Sequence, residues 1–208
     1  MSGYTVCDHP LAQEKLARLR DKTTTTPQFR ELLEEVSAIL GVYALSSLRT
    51  KTVTVQTPLK SASARVPEQP VVLVAVLRAG LGMVDGMKRI VPEAKIGHIG
   101  LYRNEETLNP VRYYVRLPKD LARSHVVLCD PMLATGGSAI EALRILKTDG
   151  AAQITLLSLL AAKQGLRRVR REHPDVHIVT AAVDPVLNRH GYIVPGLGDA
   201  GDRIFGTL

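Results

Sequence analysis

The sequence has no tryptophan and two phenylalanines, and aromatic residues make up 4% of its 208 residues. A single-strand nucleic-acid surface built on stacked aromatic side chains would therefore have few members. Cys7 and Cys129 are its two cysteines. That is too few for a disulfide framework or a cysteine-rich zinc site, and it fits a reducing compartment. The longest apolar runs, such as residues 71–77, fall far short of the roughly 20 residues of a membrane span. Residues 1–10 carry no basic segment followed by an apolar stretch, so no secretory signal is expected. These absences describe a soluble protein, expected in the cytoplasm.

What is present is an ordinary globular balance, 45% hydrophobic and 23% charged, in a chain long enough to bury a core without disulfides or structural metals. Lysine and arginine outnumber acids 27 to 20, a net charge of +7. That surplus suits either nucleic acid or a small polyanion. The basic residues are scattered except at Arg167, Arg168, Arg170 and Arg171, a cluster in a helical stretch that reads as a solvated face. With so few aromatics, the small anion is the better reading.

Periodicity predicts alternating helices and strands. Asp8 is placed to cap a helix entered through Pro10, with Ala12, Leu16 and Leu19 on one face. Thr26-Pro27 opens a second helix, whose apolar face is Phe29, Leu32, Leu33, Val36, Ile39 and Leu40. Residues 52–57 alternate as a half-buried strand, and 58–70 read as a loop or hairpin. Continuous apolar runs at 71–77 and 125–129 are expected as strands buried on both faces. Further strands are expected at 96–101, 154–160 and 176–182, with helices at 80–90, 138–148 and 165–172; 102–110 reads as a long polar loop. Such alternation predicts an α/β domain with a parallel sheet, spanning 1–208, with a small hood from the terminal segments.

In such a sheet, ligands bind outside the carboxyl ends of the strands. Three loops there are conspicuous. The first is Asp130, Pro131, Met132, Leu133, Ala134, Thr135, Gly136, Gly137 and Ser138. Two glycines let the backbone fold around an anion, Thr135 and Ser138 add hydroxyl donors, and a helix N-terminus follows, which together read as a phosphate cradle. No lysine follows these glycines and the loop lacks G-x-G-x-x-G, so neither the P-loop nor the dinucleotide reading applies to it. Asp130 is placed to accept hydrogen bonds from sugar hydroxyls. In the second loop, Arg78 can take a phosphate with its planar fork, while Gly80 and Gly82 permit close backbone approach. The third loop, 192–203, surrounds Asp199 with glycine and proline. Its apolar Ile193, Val194 and Leu197 suggest a loop folded against the body with backbone groups turned to a ligand.

The run V-V-L-C-D-P-M-L-A-T-G-G-S resembles the phosphoribosyl-diphosphate signature of type I phosphoribosyltransferases. Its D-P-M form, together with L-R-A-G-L-G-M, Y-R-N-E-E-T-L-N-P and G-Y-I-V-P-G-L-G-D-A-G-D-R-I-F-G-T, is similar to the uracil phosphoribosyltransferase branch of pyrimidine salvage, which makes UMP and diphosphate from uracil and phosphoribosyl diphosphate with Mg²⁺. The likeness runs from Asp8 to Thr207. It implies that residues 130–138 hold the ribose hydroxyls and 5-phosphate, that Arg78 faces the diphosphate, and that Arg103 closes over it from a loop. It further implies that Ile193, Gly198, Asp199 and Ala200 hold uracil, with Asp199 also near the phosphoribosyl group. Arg78, Arg103, Asp130 and Asp199 are the catalytic set so implied. The resemblance also implies Mg²⁺ carried mainly by substrate diphosphate and water rather than by protein ligands. A homodimer or homotetramer follows the family's habit. Parts of the family respond to GTP, though no residue here assigns such a site. The sequence departs from the family at Lys163-Gln164 and at Pro185, at strand ends expected to face the site. The competing class is a nucleotide-sensing, RNA-binding regulator on the same fold, which the arginine cluster allows and the intact uracil loop disfavours.

Overall fold

A computed structural model describes residues 3–103 and 110–207. In chain order the elements are β1 (Tyr4–Val6), α1 (Pro10–Arg20), α2 (Thr26–Ala44), β2 (Thr50–Gln56), β3 (Ser61–Pro67), β4 (Val71–Leu77), α3 (Gly80–Ile90), β5 (Lys95–Arg103), β6 (Pro110–Arg116), β7 (His125–Cys129), β8 (Met132–Leu133), α4 (Gly137–Thr148), β9 (Gln153–Ala162), α5 (Lys163–Glu172), β10 (His177–Asp184), β11 (Val186–Leu187), β12 (Ile193–Val194) and α6 (Ala200–Phe205). The main sheet has the order β1-β10-β9-β7-β4-β5-β6. Every pairing in it is parallel except β5 with β6, and β8 adds briefly to β9.

The apolar runs of β4, β7 and β9 are explained by two cores, one on each face of the sheet. Leu73, Val127, Leu157 and Val179 point to one side and pack with Phe29 and Leu33 of α2 and Met83 and Met87 of α3. Their sequence neighbours Val72, Val126, Leu156 and Ile178 point to the other side, against Leu143 and Leu146 of α4 and Leu166 and Val169 of α5. Side chains on both faces are thus mostly apolar because both faces are covered. The exceptions in β7 and β9 are Gln153, the buried Ser158, and the buried His125 and Thr155, which hydrogen-bond each other at 3.0 Å. Among the described residues, no helix is long and apolar enough to cross a membrane.

Several expectations need correction. The cap of α1 is His9 rather than Asp8, with His9 Nδ1 accepting from the Leu11 N–H at 3.2 Å. α2 is capped one residue earlier than expected, at Thr25, whose N–H donates to Gln28 Oε1 at 3.1 Å. β1 gives no usable pattern at three residues, and its place is set by pairing with β10. The strand expected at 52–57 is largely exposed, because it pairs only with β3 in a separate two-stranded hairpin. The stretch after Asp199, expected as irregular, forms α6. The 102–110 loop is shorter than expected, since β5 reaches Arg103 and β6 starts at Pro110; residues 104–109 lie outside the described residues.

One close contact fixes how α3 packs against α2. Gly86 of α3 lies so near α2 that a Cβ there would fall on the backbone of Glu34, with the Glu34 Cα at 2.9 Å. Gly86→Ala is expected to lose about 1–3 kcal/mol in urea denaturation, even though alanine is the better helix former by about 1 kcal/mol. Unchanged stability would show that the two helices can part without cost.

Candidate active site

β7 delivers the first loop. The chain leaves the sheet at Cys129, turns through 130–136, and enters α4 at Gly137. The turn requires Gly136, which has φ +81° and caps the helix, its carbonyl accepting from the Ile140 N–H at 2.9 Å. The first N–H groups of a helix have no partner inside it. Here they open, with the Thr135 and Ser138 side chains, onto a cleft of about 330 Å³ lined by 132–139 with Arg78, Leu101, Pro110, Asp130 and Asp199. Partly unpaired donors, hydroxyls and a positive helix end suit a phosphate group. The loop is supported from α5: a Cβ at Gly165 would sit 2.7 Å from the Leu133 carbonyl oxygen and collide with that of Ala134. Arg168 reaches the same loop, its Nη1 standing 3.5 Å from the Thr135 carbonyl. Pro131 departs from expectation. It faces a second cleft, and its carbonyl accepts from the Leu159 and Leu160 N–H groups of β9 at 3.1 and 3.0 Å.

Asp130 stands one residue beyond β7, where the apolar interior meets the cleft. Burial pushes its carboxyl up to about 6, only partly opposed by the Met132 N–H, which donates to Oδ1 at a long 3.4 Å. Its neighbour Cys129 is fully buried, and burial, then the Asp130 charge, pushes the thiol up to about 12. A thiol so placed is no nucleophile at neutral pH.

Arg78 follows β4 across a cis peptide bond. It lines the first cleft, but its guanidinium is turned toward the C-terminal helix. Nη2 is 3.4 Å from Asp202 Oδ1, and the group lies over the Phe205 ring at 5.4 Å. With the side chains 56% and 34% exposed, that ion pair is screened and holds Arg78 weakly. Gly80 and Gly82 serve packing instead of ligand approach: Cβ atoms there would meet the Cys129 carbonyl and, at 2.8 Å, Leu33 Cδ2. Arg103 ends β5 opposite Pro110.

A second cleft of about 480 Å³ opens beside the first. Ile193, Gly198, Asp199 and Ala200 line it, together with His190 and Tyr192, which the sequence did not single out as ligands. The two clefts share Asp130 and Asp199, along with Ala79, Met132, Ala134, Gly191 and Gly201. Asp199 also caps α6, its Oδ1 accepting from the Asp202 N–H at 2.9 Å. Gly196, Gly198 and Gly201 do spell G-x-G-x-x-G, but they sit between a two-residue strand and a six-residue helix, which is not the βαβ context of a dinucleotide site. Lys163, Gln164 and Pro185 line neither cleft and are exposed, so the departures at these positions do not face the site. Among the described residues, no three His, Cys, Asp or Glu side chains gather as a metal cage.

A parallel sheet, a phosphate cradle after one strand and an arginine after its neighbour define a type I phosphoribosyltransferase fold. It is shared with the hypoxanthine phosphoribosyltransferase of Staphylococcus aureus, at a TM-score of 0.53 and 14% identity over 82% of this chain and 80% of that one, a likeness that shows the fold alone. The family model for Uracil phosphoribosyltransferase matches residues 6–207. A uracil phosphoribosyltransferase of Halalkalibacterium halodurans is 54% identical over 208 residues, the whole of both chains. The AQ2163 protein of Aquifex aeolicus superposes with a TM-score of 0.92 at 36% identity over 97% of each chain. The chain belongs to the uracil phosphoribosyltransferase family, a family of Mg²⁺-dependent pentosyltransferases. The comparisons give no support to an RNA-binding regulator.

The raised pKa of Asp130 makes a signed prediction. A carboxyl whose native value is about 6, against 3.8 when unfolded, stabilises the fold fully below 3.8 and loses that contribution as pH rises through 6. At pH 7 the ionised group therefore costs stability. Asp130→Asn is expected to raise the melting temperature at pH 7, with no gain at pH 3.5, while turnover falls on the order of 10²-fold. A lower melting temperature at pH 7 with normal turnover would reduce Asp130 to a turn cap.

Proposed function

We propose that the two clefts hold the two substrates of one displacement, phosphoribosyl diphosphate in the first and uracil in the second. The observation that carries this reading is the shared wall: Asp130 and Asp199 border both clefts, so the bond would form between them. The cradle, Met132 to Ser138, takes the 5-phosphate through backbone N–H groups and hydroxyls, with Pro131 fixing the turn beneath. Asp130 accepts from the ribose hydroxyls. Arg78 leaves its weak pair with Asp202 for the diphosphate, and Arg103 approaches from the end of β5.

In the reaction, uracil N1 bonds to the anomeric carbon as the carbon–oxygen bond to diphosphate breaks. The electron pair leaves with diphosphate, and the N1 proton passes to solvent water as the new bond forms. The sugar gains oxocarbenium-like positive charge. Asp130 and Asp199 complement that charge, while Arg78 and Arg103 stabilise the leaving group. Uracil presents an N3–H donor between two carbonyl acceptors, and the backbone of Ile193 and of Gly198 to Ala200 offers both kinds of partner. Cytosine reverses the pattern at two positions, leaving a buried group unpaired, which discriminates strongly.

A cleft with one half-buried carboxylate, Asp130, and among the described residues no cage suits a cation that keeps its water and travels on phosphate oxygens. Bound Mg²⁺ would neutralise the diphosphate, with Asp130 the residue to steady it. The hood of terminal segments, a cytoplasmic location, assembly as a homodimer or homotetramer, and activation by GTP go with the family alone. Sedimentation and a GTP titration test the last two.

The purified protein is expected to form UMP from uracil and phosphoribosyl diphosphate, and to use cytosine, adenine and hypoxanthine at least about 10³-fold less well. Preference for a purine would overturn the assignment. Arg103→Ala should lower kcat and weaken phosphoribosyl diphosphate binding at an unchanged melting temperature. Normal kinetics in that variant would remove Arg103 from the site.

A further inference from the structure

The uracil loop is held from behind by an ion pair that touches neither cleft. Asp184 ends β10 and Arg20 ends α1, 164 residues apart in sequence, with side chains 7% and 24% exposed. Arg20 grips Asp184 with both arms of its fork, Nη2 to Oδ1 at 2.7 Å and Nη1 to Oδ2 at 2.8 Å. Both partners also hold the same backbone residue. Arg20 Nη1 donates to the Gly196 carbonyl at 2.8 Å, and the Gly196 N–H donates to Asp184 Oδ2 at 2.9 Å.

Gly196 is one of two positive-φ glycines in the loop, with Gly198. Its φ is +60°, and a Cβ there would fall on the Ile193 carbonyl. The next carbonyl, that of Leu197, accepts from Arg203 Nη1 at 3.0 Å, and the same nitrogen also donates to the Leu19 carbonyl. Residues 196 and 197 are therefore committed to the body of the protein, and the wall of the second cleft resumes immediately after them, at Gly198.

We propose that Arg20 and Asp184 are positioning residues for base recognition: together they set the height and angle of Gly196, and so place the backbone of Gly198, Asp199 and Ala200 that reads the base. This rests on the assignment of the second cleft to uracil. A buried ion pair adds little net stability compared with apolar residues of the same volume, so this pair is better explained by geometry than by stability. Displacement of a reading group by about 1 Å is enough to cost a large factor in recognition. The direction of the Asp184 shift agrees: although burial opposes it, the Arg20 and Gly196 hydrogen bonds hold its carboxyl below the usual range.

The test compares Asp184→Asn, Arg20→Lys and Arg20→Met with the parent protein, measuring the KM for uracil and for phosphoribosyl diphosphate separately, the uracil-to-cytosine ratio of kcat/KM, and the melting temperature. The expected result is a rise of about tenfold or more in the uracil KM, the cost of one mis-set charged hydrogen bond. The KM for phosphoribosyl diphosphate should stay within about twofold, and the preference over cytosine should fall. Arg20→Lys keeps the charge but loses the fork, so it carries the test if Arg20→Met fails to fold, and its effect should be intermediate. An unchanged uracil KM, or both KM values rising together with the loss of melting temperature, would make the pair merely structural. A parent protein inactive with uracil would instead overturn the assignment of the cleft, which distinguishes the two failures.

Discussion

The main sheet is covered on both faces, and that constraint decides where chemistry can occur. β4, β7 and β9 have almost no exposed residue along their lengths, so a polar side chain within them would lie in a dry interior. Parallel pairing then brings their carboxyl ends to one edge. Charge appears there at once: Arg78 after β4, Asp130 after β7, Lys163 after β9, Asp184 at the end of β10 and Arg103 at the end of β5. The same edge divides the labour. Arg78 and Asp130 meet the clefts, Asp184 turns toward α1, and Lys163 opens a helix whose next turn supports the cradle from outside.

The two clefts differ in how they are made. The first cleft is built largely by one continuous segment folded around the start of α4, so its donors come with the local backbone and need few distant partners. The second cleft is assembled from pieces that cannot hold themselves. β11 and β12 are two residues each, and α6 has six. Short elements of this kind have little intrinsic stability. Their positions come from the N-terminal half: Arg20 holds Gly196, Arg30 Nε donates to the Ile204 carbonyl at 2.7 Å, and Arg203 lies over the Phe29 ring at 4.4 Å while its Nη2 donates to the Asp21 carbonyl at 2.6 Å. The shape of the second cleft is therefore coupled to the docking of α1 and α2.

That contrast explains what could be read from the sequence. The buried strands announced themselves as apolar runs, and the cradle as two glycines between hydroxyl residues at a strand-to-helix junction, because each is a local pattern with a local cause. β1 and α6 were not legible, since three and six residues carry no period and their conformation is imposed by neighbours. The exposure of β2 was missed for a related reason: alternation of Val53 and Val55 with polar residues signals a strand but cannot say whether anything covers it. Gly80 and Gly82 looked like room for a ligand and are room for Cys129 and Leu33, because small size at a strand end serves packing and binding equally. The residues lining the second cleft were picked out by a long motif, but what holds that loop in shape, an arginine at position 20 paired with an acid at 184, spans most of the chain and has no sequence signal at all.

The position of Asp130 between the two clefts has an energetic consequence for the proposed reaction. Before substrate binds, burial favours its neutral form, and the carboxyl near 6 keeps a measurable protonated fraction at neutral pH. A sugar that is gaining positive charge favours the ionised form, as does a cation brought by diphosphate. Binding and reaction thus draw the pKa down, and the cost of holding a partly buried carboxylate is recovered as charge develops at the anomeric carbon. An interaction that is unfavourable in the empty cleft and favourable when the leaving group departs acts on the transition state more than on the ground state. Asp199 differs in kind. It is exposed and already engaged in capping α6, so its carboxylate is fixed by the fold before any substrate arrives. One acid is thus held in place by the chain, while the other bears its charge at a cost until the ligand arrives. On this reading, the asymmetry lets a single strand end serve both binding and the chemical step.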